Sequence, residues 1–364
     1  MTANKSANIT TLQFACLISG LQIGIAYLSL PRLVAEGSGT DGWMTILIMW
    51  LLSVMASIAA VRLMRRMPEG TVLDLISMRI GKWAGRTAAV LFGLYFAGMA
   101  YDGFVRTTNI TRSWLLPQTK SFVILILLLI PAYAIVKGGP LLAGRYAEFI
   151  FLLTCWAPLI FIYPLKEANW LNLLPILKEG IVPVLTGVKS ILFSFIGFAA
   201  TLFLYPNLKY KQYAVRGVVL ANSMTATLYV WITIVCFAYF SPDEILEFTQ
   251  PVIPMLKMIE FRVLERIEVP FVAFYLFIYS LTWIPSTYLT VFCSSWLLGA
   301  GSTRRHLQLF CLLLVGSSFF YFPSFIQNER LEEALGEIGA VMEYLFPTVL
   351  LLLFWAQDKL KRRA

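Results

Sequence analysis

Charge is what this chain has least of. Only 13% of its 364 residues are Asp, Glu, Lys or Arg, against roughly 25% in an average soluble domain. With 59% hydrophobic residues and a mean hydropathy of +0.76, a water-soluble globule could not cover itself with polar surface, so the natural solvent is a bilayer. Histidine is nearly missing: His306 is the only one. Metal sites and triads that need several histidines are excluded, and no hydrolase reading survives without a base beside an exposed serine. The chain reads as neither an enzyme nor a metal or cofactor binder. The five cysteines, Cys16, Cys155, Cys236, Cys293 and Cys311, lie in or at the ends of apolar runs without a CxxC. They read as inert thiols, not a disulfide framework. The net charge of +9 comes without a basic stripe and interleaved aromatics, so nucleic acid is set aside. No cleavable leader or lipidation motif is evident.

Long apolar runs fill the rest. A spanning helix takes about 20 mostly apolar residues, and ten runs qualify as spans 1 to 10: 12–34, 43–61, 87–105, 121–136, 146–165, 184–205, 218–240, 269–298, 307–322 and 341–355. With the N-terminus inside, the inner segments collect 18 of the 29 Lys and Arg but 4 of the 20 acids. The positive-inside rule then puts both termini in the cytosol. Trp43, Trp83, Trp114, Trp170 and Trp355 fall near span ends, as interfacial anchors should. The outer segment 241–268 carries Leu256, Ile259, Val263 and Ile267 at helical spacing, with Lys257, Glu260, Arg262, Glu265 and Arg266 on the other face. It is expected to form an amphipathic helix on the bundle, or a lid or docking surface. A second outer segment, 327–343, is acidic, with Glu329, Glu332, Glu333, Glu337 and Glu343.

Two motifs carry the functional argument. Span 1 contains Gly20-Leu21-Gln22-Ile23-Gly24-Ile25-Ala26 and then Pro31; span 6 contains Ser194-Phe195-Ile196-Gly197-Phe198-Ala199 and then Pro206. Both hold Ile-Gly-apolar-Ala followed by proline, 173 residues apart. Gly costs about 1 kcal/mol and Pro about 3 kcal/mol inside a helix. In hydrocarbon a freed backbone group is tolerated only under protein or beside a water-filled cavity. Matching interruptions in two halves point to a midplane site of the inverted-repeat kind. The halves are 12–165 and 184–355 of a single transmembrane domain, 1–364. Backbone N–H groups at the breaks would take a carboxylate and carbonyls an ammonium, without a buried charged side chain costing about 2.5–3.5 kcal/mol. The competing reading is that these glycines only let helices pack closely.

Around these breaks the candidate ligand site takes Gly20, Ile23, Gly24, Ile25 and Ala26 from span 1 and Ser194, Gly197, Phe198 and Ala199 from span 6. Span 3 adds Tyr95 and Met99, on one stripe with Asp102 and Arg106. Span 8 adds Thr282, Ser286 and Thr287, near Pro285 and together with Tyr275 and Tyr279; their hydroxyls face a ligand or a sodium ion, or else satisfy helix backbone or neighbouring helices. Glu148 reads as a local pair with Arg145 or a proton relay.

The string from Gly20 to Pro31 resembles the span-1 signature of the amino acid–polyamine–organocation superfamily. The whole chain resembles the spore germination permease-like family, the B-type subunits of germinant receptors. The resemblance rests also on Gly81-Lys82-Trp83, Arg145-Tyr146-Ala147-Glu148, Leu173-Leu174-Pro175 with Glu179-Gly180, Ser194 to Phe198, Pro242-Asp243-Glu244 and the basic tail. It implies a leucine-transporter-like all-α fold of ten transmembrane helices, a 5+5 inverted repeat with spans 1 and 6 broken. It also implies a small germinant (often an amino acid), A-type and C-type partner subunits, and the spore inner membrane. One departure stands out: the family often has an acidic residue directly after the Gly-Phe of span 6, where this chain has Ala199. The leading expectation is a receptor subunit that binds a germinant between spans 1 and 6 and signals through its partners. The alternatives are a sodium- or proton-coupled amino acid transporter and a membrane scaffold with a vestigial pocket.

Overall fold

A computed structural model describes residues 8–257, 259, 267–299 and 303–361, and among them it is helical throughout, without a strand. Six helices are long and apolar enough to cross a membrane: Leu30–Met64, Lys82–Trp114, Gly139–Lys166, Lys211–Tyr239, Glu268–Leu298 and Phe325–Leu360. A pair bent by 66°, Ile181–Ile191 with Phe193–Asn207, makes another, and Thr11–Gly24 and Ser121–Lys137 are shorter apolar helices. The protein is a multi-pass membrane protein.

The chain enters at α1 (Thr11–Ala26), whose start is fixed by a capping box: Gln13 N–H donates to Thr10 Oγ1 at 3.1 Å and Thr10 N–H to Gln13 Oε1 at 3.0 Å. Residues 13–22 are all buried, as expected of a helix that is apolar on every side. Next come α2 (Leu30–Ser38), α3 (Gly42–Met64), the short α4 (Val72–Arg79), α5 (Lys82–Trp114), α6 (Ser121–Lys137) and α7 (Gly139–Thr154), continued by 3-10 turns to Lys166. Span 6 begins with α8 (Ile181–Thr186) and resumes after its break with α9 (Thr201–Leu204). Then follow α10 (Ala214–Tyr239), α11 (Glu244–Glu247), α12 (Val252–Lys257), α13 (Glu268–Leu298), α14 (Thr303–Phe320), α15 (Phe325–Gly339) and α16 (Phe346–Lys361). α1 is the central post, packed against α7, α10 and α13, and α5 lies along α13. Leu94, Ile130, Leu152, Leu312 and Leu352 are exposed on the outside, which suits a surface facing lipid tails.

Two expectations need correcting, and a third is described only in part. Span 1 does not break at its glycines. α1 runs unbroken through Gly20, Ile23, Gly24, Ile25 and Ala26, and the helix parts at 27–29. Pro31 explains the position, because a proline ring collides with the carbonyl four residues earlier, here that of Tyr27. The glycines serve close packing. A β-carbon on Gly20 would lie 2.6 Å from Leu281 Cβ, and one on Gly24 would overlap Thr282 Oγ1. The acidic segment 327–343 is not a separate outer loop. α15 runs through a π-helical stretch, Ala340–Leu345, into α16 as one helix, Phe325–Leu360. Asn328, Glu332, Leu335, Gly336, Gly339 and Glu343 recur along it at helical spacing and are all buried. In 241–268, finally, α11 and α12 bury Ile245, Val252, Ile253, Met255 and Leu256. Glu260, Arg262, Val263, Glu265 and Arg266 lie outside the described residues.

Gly24→Ala should therefore lower thermal stability by about 1–3 kcal/mol, the usual range for overpacking. Adding Thr282→Ala, which removes the opposing hydroxyl, should recover most of the loss. Thermal unfolding of the four proteins of this double-mutant cycle checks it.

Candidate functional site

Span 6 is interrupted as its motif suggests. A 3-10 turn, Phe193–Phe195, ends at Ile196 in extended conformation, Gly197 takes φ of 123°, and a new turn starts at Phe198. Only glycine adopts that angle freely. A side chain would also meet Leu21, whose Cβ lies 2.7 Å from the position a Gly197 Cβ would take.

The break frees backbone donors on one side and acceptors on the other. The donors converge on one carboxylate: Gly197 N–H reaches Glu343 Oε1 and Oε2, each at 2.8 Å, and Ala199 N–H donates to Oε2 at 2.8 Å. Tyr95 Oη–H, from α5, donates to Oε1 at 2.6 Å. Tyr95 and Glu343 are both buried. A charged acceptor roughly doubles the strength of each such bond, which offsets part of the cost of placing a carboxylate this deep. The acceptors are satisfied by phenols and an amide. Tyr229 donates to Ser194 O at 3.2 Å and Gln22 O at 2.7 Å. Phe195 O accepts from Gln22 Nε2 at 3.1 Å and Tyr344 at 3.3 Å. Near the break in span 1, Gly24 O accepts from Tyr275 at 2.8 Å.

Gln22 is held in turn. Its Oε1 accepts from Thr225 at 2.7 Å, and Nε2 also donates to Asn222 Oδ1 at 3.0 Å. Asn222 donates onward to Ser57 at 3.1 Å and Ser19 lies 3.1 Å from Thr225. A polar web thus ties α1, α3 and α10 to the break, in a layer where every unpaired group costs several kcal/mol.

The expected site residues do not all come together. Tyr95, Ser194, Gly197 and Ala199 meet at the break, and Phe198 sets its ring 4.9 Å from that of Tyr344. Met99 is buried on the same helix as Tyr95, and Ala26 is buried at the end of α1. Gly24 packs on Thr282, whose hydroxyl is 3.4 Å from Gly20 O. Ser286 and Thr287 donate to their own helix, at Thr282 O and Trp283 O, both at 2.7 Å. Gly20 and Ile23 instead line a lateral cavity of about 660 Å³ between α1, α7, α10 and α13, together with Phe151, Leu159, Leu220 and Trp231. The side chain of Ile25 is outside the described residues.

The backbone groups at the breaks are therefore not free for a solute: the side chains of Glu343, Gln22, Tyr229, Tyr275 and Tyr344 already hold them. Tyr275 was singled out from the sequence, but the other four were missed, although Gln22 sits inside an apolar run and an ionisable group at a span edge is a functional signal. Glu148, expected beside Arg145, accepts from Gln13 Nε2 of α1 at 2.9 Å. Among the described residues no group of three or more His, Cys, Asp or Glu could hold a metal ion.

A bundle organised around interrupted, mutually satisfied spans defines a transporter-like membrane protein. The crystal structure of MhsT in complex with L-phenylalanine superposes with a TM-score of 0.66 over 95% of this chain and 98% of that one, at 11% identity. That likeness shows the leucine-transporter-like fold. The chain belongs to the spore germination protein family, whose model matches residues 8–330. GerQB of Bacillus cereus is 27% identical over 352 residues, 95% of each chain. YndE of Bacillus subtilis (strain 168) is 27% identical over 361 residues, 96% of each chain. The chain is a germinant-receptor or permease-like membrane protein.

Replacing Glu343 with Leu should strand the N–H groups of Gly197 and Ala199 at about 1–3 kcal/mol each, a large fall in thermal midpoint. Glu343→Gln keeps one acceptor oxygen and should lose less. Equal stability of both variants with the parent, in the same unfolding assay, would contradict the assignment.

Proposed function

We propose that the protein is the B-type membrane subunit of a spore germinant receptor. In this reading it binds a small germinant, an amino acid, at the span-6 break and signals through A-type and C-type partner subunits in the spore inner membrane, with both termini cytosolic. Family membership supports the setting, and the carboxylate of Glu343 on the N–H groups of Gly197 and Ala199 is the observation that carries the mechanism.

That carboxylate occupies the place a ligand carboxylate would take. A germinant arriving there competes with Glu343, giving two states: break closed on Glu343, or break closed on ligand. A ligand that prefers the second shifts the population toward it. The consequence reaches far because Glu343 lies in the π-helical stretch of a 36-residue helix, Phe325–Leu360. Such stretches are frequent at functional sites. The same helix is tied near its other end by Asp358 to Arg66 and Arg79. Releasing Glu343 lets the helix shift and carry the signal to a surface where partners dock. Coupled transport is the second reading, favoured by the likeness to a transporter fold.

The test is a germination dose-response in spores where this is the only receptor of its kind. Glu343→Gln weakens the internal competitor by about one charge-assisted bond. The response should move to roughly tenfold lower germinant concentration, the equivalent of about 1.4 kcal/mol, or become spontaneous. An unchanged response at normal protein levels refutes the proposal in favour of a scaffold. Concentrative uptake of labelled amino acid by the purified protein in liposomes would favour transport.

A further inference from the structure

A second polar cluster lies on α5, away from the break. Asp102 is seven residues beyond Tyr95 on the same stripe, about 10 Å along the helix at 1.5 Å per residue. It is fully buried, as are Asn328 on α15 and Tyr279 on α13, while Arg106 is 2% and Glu332 8% exposed. Arg106 Nη2 donates to Glu332 Oε2 at 2.8 Å. Asn328 Nδ2 donates to Asp102 Oδ1 at 2.9 Å and to Glu332 Oε1 at 3.2 Å. Glu329, at the rim, stands 3.9 Å from Arg106 Nη1. Tyr279 lies one turn before Trp283 on α13, and Trp283 packs against Gly103 of α5 and donates to Thr107 Oγ1 at 3.1 Å.

Two features make this more than a structural ion pair. The cluster is unbalanced: two buried acids stand around one guanidinium, with a third carboxylate at the rim, so a proton or a second cation must complete it. A buried charge without a partner is expensive. Four members also leave one atom over, while both oxygens of Glu332 are taken: Asp102 Oδ2, Asn328 Oδ1, Tyr279 Oη and Arg106 Nη1 are buried without a hydrogen-bond partner. Native structures leave few such atoms, and here four fall in one cluster. The first three are able to accept hydrogen bonds and the fourth only donates.

We propose that this cluster is a second ligand site, which binds a primary ammonium. Its three N–H bonds match the three spare acceptors when Asp102 is ionised, its charge takes the place of the proton that otherwise neutralises the second acid, and Arg106 Nη1 remains for an oxygen next to the amine. A free α-amino acid or a small amine fits; an N-acylated analogue does not. Because α15 and α5 supply most of the site, occupancy clamps the first half of the helix that carries Glu343. The inference does not depend on how Glu343 acts.

Thermal unfolding of the purified full-length protein tests it, in ammonium, sodium and tetramethylammonium chloride at equal ionic strength. Ammonium should raise the midpoint over sodium by about 2 °C at roughly tenfold saturation. Tetramethylammonium, which has no N–H, should not. Asp102→Asn should abolish the ammonium shift and Tyr279→Phe should reduce it. Glu337→Gln, whose carboxylate is 75% exposed, should keep it. An equal shift with all three salts, a shift with sodium alone, no shift, or an ammonium shift that survives Asp102→Asn overturns the proposal. Should Asp102→Asn not fold, an undiminished shift in Tyr279→Phe overturns it equally.

Discussion

A carboxylate from one transmembrane helix closes the gap in another, and much of the bundle follows from that contact. Span 6 is interrupted at Gly197, so it must find partners for N–H groups that a continuous helix would pair internally. Water is absent from a bilayer interior, and an unpaired amide there costs several kcal/mol. Glu343 supplies the acceptor and Tyr95 shares it. That demand fixes where the π-helical stretch Ala340–Leu345 meets the break and which face α5 turns inward, and it gives that stretch a role in aiming the side chain.

The same reasoning applies to the acceptor side. Gln22, Tyr229, Tyr275 and Tyr344 between them take the carbonyls of Gln22, Gly24, Ser194 and Phe195. A pore or open vestibule would let water satisfy those groups. Here side chains do so, and the two interrupted spans rest on each other through Leu21 and Gly197. In the proposed function a ligand exchanges one set of these backbone partners for another, which is what a sensor requires. A transporter needs such an exchange too, but must also pass the solute on.

Much of the fold was legible. Spans 2, 4, 7 and 8 fall within a few residues of the observed helices, because long apolar runs bounded by polar residues leave little choice in lipid. The break in span 6 was legible because its glycine is followed by residues that resume a helix. The break in span 1 was misplaced, since two glycines looked like the weak point. Nothing in the local sequence says that Leu281 and Thr282 will press against them, whereas Pro31 and its clash four residues back were readable. Glu343 was hidden by its neighbours: next to Glu329, Glu332, Glu333 and Glu337 it looked like part of a solvated acidic segment. Its helical register with Gly339 and Gly336 was the available clue. At 199, where the family resemblance leads one to expect an acidic residue, the chain has Ala199, and its N–H donates to Glu343 of span 10.

The most direct measurement is residue-level hydrogen exchange of the backbone amides of Gly197 and Ala199, in the parent protein and in Glu343→Ala. If Glu343 holds these amides, both exchange slowly in the parent and much faster in the variant, while amides in the middle of α5 and α13 keep their protection. Equal exchange at Gly197 and Ala199 in the two proteins, with the bundle intact, would contradict the account at its centre.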